Sequence, residues 1–271
     1  MSGNVILEVN RSAIGETRLQ DEPETELVDG EVRLRIDRFA VTSNNITYAV
    51  FGDVLGYWDF FPAADGWGRV PAMGWAEVVE SANPDIAVGG RYYGWYPMAQ
   101  SITIAASATA DGFRDDGAHR TAHAPVYRAY VEAARDPWYD GAPDGEDRHA
   151  LLRGLFMTGF LADEFFGDSG GAGGEYFGAS RVVVLSASSK TAIGFAQRAH
   201  QRGVDDVVGV TAPHNLDFVR SLGYYDTVVG YDGVGSIATD ADTVSIDMAG
   251  DPAVLWAVHL HLGDRLKYSM T

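Results

Sequence analysis

A serine-rich turn carries the groups in this sequence that are best suited to bind phosphate. Directly after the apolar run Arg181–Leu185 come Ser186, Ser188, Ser189 and Lys190. Hydroxyls, backbone N–H groups and a lysine at the start of a helix are donors suited to an anion. The chain has only two lysines and one lies on this turn, which favours phosphate binding. Serine-rich turns also simply cap helices, and that alternative stays open.

The elements around this turn predict a parallel sheet. Arg181–Leu185 (RVVVL) is continuously apolar, as a strand buried on both faces should be. Strands that alternate with helices form a parallel sheet with right-handed crossovers, so residues 151–271 are assigned to a Rossmann-like nucleotide-binding domain. The other predicted elements are the helices Leu151–Phe166, Thr191–Arg202, His214–Leu222 and Pro252–Leu262 and the strands Val207–Thr211, Thr227–Val229, Thr243–Asp247 and Arg265–Met270.

The first part of the chain, residues 1–150, is predicted to be a β-rich, barrel-like domain. Its short alternating or apolar runs are separated by turns of Asn, Asp and Gly, a pattern typical of antiparallel strands. In Glu31–Val41 the apolar Val32, Leu34 and Ile36 alternate with polar residues. The strand candidates are Val5–Val9, Glu31–Val41, Val70–Val79, Arg91–Trp95 and Gln100–Ala106.

Two segments interrupt these patterns. Residues 107–147 are rich in Gly, Asp, Pro and His, with one helical patch at Val126–Arg135, and we predict a long surface insertion that serves as a lid or a partner contact. Asp168–Gly174 (DSGGAGG) has the composition of a flexible linker and is the best internal boundary.

Composition limits the classes of partner. The formal net charge is −18, which argues against nucleic acid and against an anionic membrane surface. The chain has no cysteine, so it has neither disulfides nor thiolate ligands. No signal-peptide pattern and no run of 18 apolar residues occurs, and we expect a cytoplasmic protein.

The order of these elements resembles the medium-chain dehydrogenase/reductase superfamily, and within it the zinc-free, quinone-oxidoreductase-like branch. Gly30–Val32, the strand after it and Val41–Asn45 resemble the family's first long strand and the loop with its substrate-side polar residues. Pro71–Val79 (PAMGWAEVV) and Val88–Gly94 resemble its G…AGVV…GDRVYG stretch, and Arg181–Ala199 resembles its strand–turn–helix at the cofactor. The resemblance implies an α/β protein with an N-terminal GroES-like β-rich domain and a Rossmann-like domain that is incomplete at its C-terminus.

The resemblance places the serine-rich turn at the cofactor phosphates. A gapless match of Gln197 and Ala199 to the family helix puts Ala187, Ser189 and Ala192 at the three fingerprint positions that are glycine in a dinucleotide turn. All three residues are small and none is glycine, so the chain represents a subfamily with a serine-rich phosphate turn. The predicted phosphate set is Ser186, Ala187, Ser188, Ser189, Lys190, Thr191 and Ala192.

The end of the second strand predicts NADP(H) rather than NAD. An NAD site usually has an acidic residue there for the ribose hydroxyls, whereas this chain has Thr211, His214 and Asn215. An uncharged or weakly basic pattern tolerates a 2′-phosphate. Tyr231 and Asp247, at the ends of the next two strands, complete the predicted cofactor set.

The resemblance also implies an enzyme that transfers a hydride to a quinone or an enone-type carbonyl substrate. Thr42, Asn45 and Tyr48 fall where the family has its substrate-facing residues, and Asn45 and Tyr48 are suited to hydrogen-bond a carbonyl oxygen. The alternative is that the asparagines make a turn and Tyr48 packs in the core. Aromatic residues near positions 57–67 and 92–96 would line a flat pocket or, in the alternative, pack in the core or at an oligomer contact.

No metal is expected. His119 and His123 are four residues apart, but they lie in a Gly- and Asp-rich segment where solvated histidines are the ordinary outcome.

The rival interpretation of function is a non-catalytic binding or assembly protein that has lost its glycine-rich turn. In the superfamily the chain continues beyond the fifth strand of the Rossmann sheet, whereas this sequence stops there. Either the natural chain is short, the sequence lacks a C-terminal segment, or a partner chain supplies the rest. We expect a second copy, as in a homodimer, another partner or a lost tail to cover the last strand edge.

Overall fold

The first of two units is built from antiparallel strands. The computed structural model describes residues 3–168, 174–248 and 250–271, and the chain divides into the units Met1–Leu151 and Leu152–Thr271. The strands of the first unit are β1 (Asn4–Asn10), β2 (Ala13–Glu22), β3 (Glu31–Phe39), β4 (Trp67–Gly68), β5 (Pro71–Ser81), β6 (Arg91–Pro97), β7 (Ser101–Thr109), β8 (Gly112–Asp115) and β9 (Ala129–Glu132).

Six of these strands close into a barrel in the order β3-β5-β6-β9-β8-β7. The alternation predicted for β3 holds for its apolar residues, because Val32 and Leu34 are fully buried in the barrel, whereas Arg33 between them is buried as well. The barrel core also contains Phe113 and Tyr130, whose rings stack at 4.8 Å. The prediction of a β-rich, barrel-like first part is therefore confirmed.

The segment 107–147 is not a surface insertion up to Glu132. It supplies β8 and β9, which pair with each other and close the barrel between β7 and β6. The helix predicted over Val126–Arg135 is wrong beyond α2 (Pro125–Arg128), because Tyr130 enters the core and donates its hydroxyl to the carbonyl of Trp95 at 2.7 Å. Barrel closure overrides the local helical pattern here.

Two further elements of the first unit differ from the sequence-based expectation. The polar, exposed β2 pairs with β1 in a small sheet with order β2-β1-β4, and tertiary pairing rather than hydrophobic pattern forms it. The segment predicted as a polar loop forms a helix, α1 (Ser43–Val50).

The second unit is a parallel α/β sheet, as predicted. Its strands run in the order β12-β11-β10-β13-β14 within the described residues, with the all-buried β10 at the centre. The elements are α3 (Gly145–Gly167, which begins in the first unit), β10 (Arg181–Leu185), α4 (Lys190–Arg202), β11 (Asp206–Thr211), α5 (Leu216–Ser221), β12 (Thr227–Gly230), β13 (Thr243–Asp247), α6 (Pro252–Leu262) and β14 (Leu266–Met270).

Helices cover both faces of this sheet. Val182 and Val184 of β10 pack with Phe195 of α4 on one face, and Val183 packs with Val258 of α6 on the other. Burial on both faces explains why β10 is continuously apolar. The parallel register places the carboxyl ends of β12, β11, β10 and β13 along one edge.

The glycine-rich stretch that we predicted as a linker lies mostly outside the described residues, since residues 169–173 are not among them. In the described ranges, no helix has both the length and the apolar character needed to cross a membrane.

Candidate functional site

The serine-rich turn lies between β10 and α4, at the carboxyl edge of the parallel sheet. Ser186 has a φ of 53°, a left-handed conformation that is costly for a residue with a Cβ atom. Its carbonyl accepts the N–H of Ser189 at 2.8 Å, and the N–H of Ala187 donates to the carbonyl of Val210 at 3.0 Å. Glycine would therefore relieve strain at Ser186, whereas Ala187, one of the three fingerprint positions, does not need it.

Ser188 connects the turn to the end of β11. Its Oγ lies 3.2 Å from Oγ1 of the fully buried Thr211 and accepts Nδ2 of Asn215 at 3.0 Å. The structure thus brings together the two parts of the predicted cofactor set that lie on different strands.

The N-terminus of α4 has both a cap and open donors. Ser189 is the N-cap and accepts the N–H of Ala192 at 3.2 Å, so the capping role considered for the turn serine is real. The N–H groups of Ser188, Lys190 and Thr191 have no hydrogen-bond partner within the described part of the chain. Open N–H groups at the start of a 13-residue helix are donors suited to an anion.

The exposed Lys190 makes no ion pair with any described residue. Its side chain lines a largely apolar groove of about 320 Å³ together with Leu152 and Phe156 of α3 and Ile193 of α4. The ammonium group is therefore free to contact an anion near the turn without breaking an existing bond.

The remaining predicted cofactor residues lie along the same sheet edge. His214 is exposed in a short 3-10 turn that follows β11, and the stretch Thr211–Asn215 contains no carboxylate. Tyr231 is half-buried just after β12, and Asp247, 6% exposed, ends β13.

Sequence reasoning missed two residues at the turn, Tyr225 and Gly209. The hydroxyl of Tyr225 donates to the carbonyl of Ala187 at 2.9 Å. A Cβ atom at Gly209 would lie 2.9 Å from the ring of Tyr225 and 3.1 Å from Cβ of Ala187. The available signal was a glycine inside the otherwise β-branched strand β11, which often marks a close approach.

In the first unit, Thr42 and Asn45 close the N-terminus of α1. Oδ1 of Asn45 accepts the N–H of Thr42 at 2.7 Å, and Oγ1 of Thr42 accepts the N–H of Asn44 at 3.3 Å. Nδ2 of the buried Asn45 donates to the carbonyl of Pro71 at 2.9 Å. Both ends of the Asn45 amide are therefore already bonded within the protein.

Tyr48, on the same helix, belongs to an aromatic cluster. Its ring lies 4.4 Å from Tyr57 and 5.6 Å from Trp95, and the cluster continues through Phe60 and Tyr127. Burial raises the pKa of Tyr48, whose hydroxyl also contacts the side chain of Asn44. Tyr48 is only partly buried, so its protonated hydroxyl remains a candidate hydrogen-bond donor.

A buried ion pair supports this aromatic cluster. Arg120 is fully buried, its guanidinium lies 4.1 Å from the ring centre of Phe60, and its Nε lies 3.3 Å from the carboxylate of Asp115. Burial lowers the pKa of Arg120 and raises that of Asp115. The pair holds the 116–128 segment against the loop that carries Phe60.

The histidines considered as metal ligands have other roles in the structure. Nε2 of His123 contacts the carbonyl of Gly56 at 3.0 Å, and Nδ1 contacts that of Arg120 at 3.3 Å. Burial lowers the pKa of His119. A search of the described residues finds no cluster of three or more His, Asp or Glu side chains able to hold a metal ion.

The donor set of the turn fits the phosphates of a dinucleotide. In the described part of the chain, the turn offers three open N–H groups, the free hydroxyls of Ser186 and Thr191 and an unpaired ammonium, and the Thr211–Asn215 stretch has no carboxylate. Every side chain at a fingerprint position is small, which limits crowding where a backbone must approach the pyrophosphate.

Solved structures show the same architecture at low sequence identity. The chain is similar to CurA from Vibrio vulnificus with a TM-score of 0.64 and 12% identity over 98% of this chain and 70% of that one. It is similar to the quinone oxidoreductase from Thermus thermophilus, whose structures include a complex with NADPH, with a TM-score of 0.55 and 17% identity over 100% and 79% of the two chains. A mutant enoyl thioester reductase from Candida tropicalis gives a TM-score of 0.56 and 10% identity over 100% and 75%.

These likenesses establish the fold, a GroES-like barrel followed by a Rossmann-like sheet, and they confirm the resemblance to the medium-chain reductases at the level of the fold. A comparison with curated proteins finds no similar sequence. A family model described as "Protein of unknown function (DUF2855)" matches residues 39–271. The chain therefore belongs to the DUF2855 family and carries the fold of the medium-chain dehydrogenase/reductase superfamily.

Proposed function

We propose that this protein is an NADP(H)-dependent, zinc-independent reductase that transfers a hydride to a quinone or an enone-type carbonyl. The observation that carries the proposal is the N-terminus of α4, where the N–H groups of Ser188, Lys190 and Thr191 are unpaired among the described residues. When bound, the reduced nicotinamide supplies the hydride. The structural neighbours are oxidoreductases, and that supports the reaction class.

The residues of the turn would hold the cofactor phosphates. The N–H groups and the hydroxyls of Ser186 and Thr191 donate hydrogen bonds, and Lys190 contributes a positive charge. The absence of a carboxylate on the Thr211–Asn215 stretch removes the usual repulsion of a 2′-phosphate, so we propose a preference for NADPH over NADH.

Tyr48 is the residue that we propose to contact the carbonyl oxygen of the acceptor. Its hydroxyl can donate to the oxygen on which negative charge develops as the carbonyl is reduced. Because burial raises its pKa, the hydroxyl stays protonated up to its ordinary pKa of about 10 and beyond. We assign Asn45 and Thr42 to holding α1, and thus Tyr48, in place.

Titration with NADPH and NADH, followed by nicotinamide fluorescence, tests the cofactor. We expect NADPH to bind more tightly than NADH. If neither cofactor binds at millimolar concentration, the proposal is wrong. With NADPH bound, oxidation by simple quinones should fall in Tyr48→Phe, and the unaltered protein should keep a flat rate from neutral pH to about pH 10. A Tyr48→Phe variant as fast as the unaltered protein would remove Tyr48 from the site.

A non-catalytic binding role is the second candidate. It is favoured by the three small but glycine-free fingerprint positions, since each carries a Cβ atom near where a backbone would approach phosphate. Tight NADPH binding without turnover of any quinone or enone would select this candidate.

We also propose that a second copy of the chain covers the free edge of β14, which is the last strand of the sheet among the described residues. One structural neighbour is a heterodimer of two enoyl thioester reductases, from Candida tropicalis. Light scattering on the purified protein tests this, and a monomer at all concentrations would overturn it.

A further inference from the structure

The carbonyl of Ala187 is held by a residue from outside the phosphate turn. The hydroxyl of Tyr225, in the loop before β12, donates to this carbonyl at 2.9 Å. Burial raises the pKa of Tyr225, so the hydroxyl remains a donor across the ordinary pH range. No other hydrogen bond to this carbonyl occurs in the described ranges.

Gly209 makes room for this contact. It lies in the middle of β11, paired in register with Val184 of β10. A Cβ atom at this position would lie 2.9 Å from the ring of Tyr225 and 3.1 Å from Cβ of Ala187. Both distances are shorter than ordinary van der Waals contact, so the approach of Tyr225 to the turn depends on glycine here.

The planarity of the peptide bond links this contact to the open donors. The carbonyl of Ala187 and the N–H of Ser188 belong to one peptide unit and point in opposite directions. Fixing the carbonyl toward Tyr225 therefore fixes the N–H of Ser188 away from it. That N–H is one of the three open donors at the N-terminus of α4.

The turn needs such a support because it has no glycine and one strained residue. Ser186 is left-handed, and a strained residue keeps its conformation only where its surroundings hold it. Ser188 is anchored on its side-chain oxygen by Asn215, and Tyr225 anchors the peptide that precedes it.

We propose that Tyr225 is a positioning residue that, together with Gly209, sets the Ala187–Ser188 peptide so that the N–H of Ser188 faces a cofactor phosphate. The inference rests on the proposed function. It assigns to a tyrosine on a neighbouring loop the orienting role for which a dinucleotide turn ordinarily relies on glycine.

The test compares Tyr225→Phe with Tyr176→Phe. Both variants remove one tyrosine hydroxyl that is hydrogen-bonded inside the second unit, and the hydroxyl of Tyr176 donates to Asp163, away from the turn. We expect the Kd for NADPH, measured by nicotinamide fluorescence, to rise about tenfold in Tyr225→Phe and to stay within about twofold in Tyr176→Phe.

Amide hydrogen exchange on the cofactor-free protein gives a readout that does not depend on activity. The N–H of Ala187 donates to Val210 of β11 and that of Ser189 donates to Ser186 within the turn, and both should exchange faster in Tyr225→Phe but not in Tyr176→Phe. Gly209→Ala should reproduce both effects with the hydroxyl still present, and the double variant should be no weaker in NADPH binding than the weaker single variant.

The outcomes separate the two proposals. If the unaltered protein binds no NADPH, the proposed function fails and this inference fails with it. If the unaltered protein binds NADPH and Tyr225→Phe matches it in Kd and in exchange at Ala187 and Ser189, the inference alone is overturned. An equal loss of NADPH affinity in Tyr176→Phe would also overturn it, because the effect would then follow from general destabilisation.

Discussion

The N-termini of α1 and α4 are both capped by a hydroxyl residue, but they differ in how far their polar side chains are bonded within the protein. At α1, Thr42 and Asn45 form a reciprocal capping box, and the Asn45 amide also bonds Pro71. At α4, Ser189 accepts a single N–H, and three neighbouring N–H groups remain open in the part of the chain that the structure describes. One helix end uses its polar residues to stabilise the fold, and the other leaves donors available to an anion.

This difference shows that the role of a polar residue at a predicted site depends on whether its polar atoms are already hydrogen-bonded. Asn45 has a residue type suited to polarise a carbonyl, yet its oxygen and its nitrogen are both committed inside the protein. The serines of the turn have an ordinary capping composition, yet the donors next to them are unpaired. Availability of the polar atom, rather than its chemical type, separates the two ends.

The largest expected effect comes from removing the fully bonded amide of Asn45 at α1. Asn45→Ala removes the acceptor for the N–H of Thr42 and the donor to the buried carbonyl of Pro71. We expect the free energy of unfolding, measured in urea, to fall by about 3 kcal/mol. Asn44→Ala is the control and should cost less than about 1 kcal/mol. If Asn45→Ala instead kept its stability and lost reductase activity, Asn45 would be a catalytic residue and the comparison between the two helix ends would fail.

Ser188→Ala tests the connection between the turn and β11. It leaves the buried hydroxyl of Thr211 and the amide of Asn215 without this partner, and we expect the free energy of unfolding to fall by about 1.5 kcal/mol. The affinity for NADPH should fall as well, because the turn loses an anchor. Ser221→Ala, at the exposed end of α5, should change stability by no more than about 0.5 kcal/mol. Full stability in Ser188→Ala would show that the connection contributes nothing.

Lys190→Gln tests the N-terminus of α4 without disturbing its fold. The exposed ammonium makes no described ion pair, so stability should not change, while NADPH binding should weaken about fivefold, or about 1 kcal/mol. The loss should shrink as salt is added, because salt screens exposed charges. Lys267→Gln makes the same change in net charge on β14 and should leave NADPH binding intact. Equal effects of both variants would assign the loss to net charge alone.

The smallest effect is expected at Ser186. Ser186→Gly removes a left-handed strain of about 1 kcal/mol but adds chain entropy to the unfolded state, so the free energy of unfolding should rise by about 0.5 kcal/mol. Ser189→Gly removes the helix cap at a residue that has an ordinary negative φ, so it should lower the free energy of unfolding. Thermal unfolding checks whether stability rises in Ser186→Gly and falls in Ser189→Gly. A loss of stability in Ser186→Gly would show that the serine side chain stabilises the turn.

Much of the second unit could be predicted because its strands are buried on both faces. Continuous apolar runs such as Arg181–Leu185 and the helix-forming stretch after it leave few alternatives, and their bounds agree with the structure to within one residue. The first unit was harder. β2 is polar and becomes a strand by pairing with the preceding strand β1. Ala129–Glu132 has a helical composition and becomes a strand by pairing with β8 and β6.

The candidate cofactor site was predicted in part for the same reason. The order of strands and helices placed Ser188 and Thr211 at one sheet edge, so their contact could be expected. Tyr225 could not be found in this way, because its role comes from a loop that folds back over Gly209. The capping role of Asn45 was hidden by the expectation of a loop where α1 forms.

The sequence by itself determined the parallel α/β architecture, the absence of cysteine chemistry and the presence of a small, serine-built turn at a helix start, because these follow from local composition and from the period of apolar residues. Only the tertiary structure decided which donors are hydrogen-bonded within the protein and which are not. That distinction depends on partners such as Pro71, Val210 and Tyr225, which are brought to the helix ends by chain segments that no local pattern connects to them.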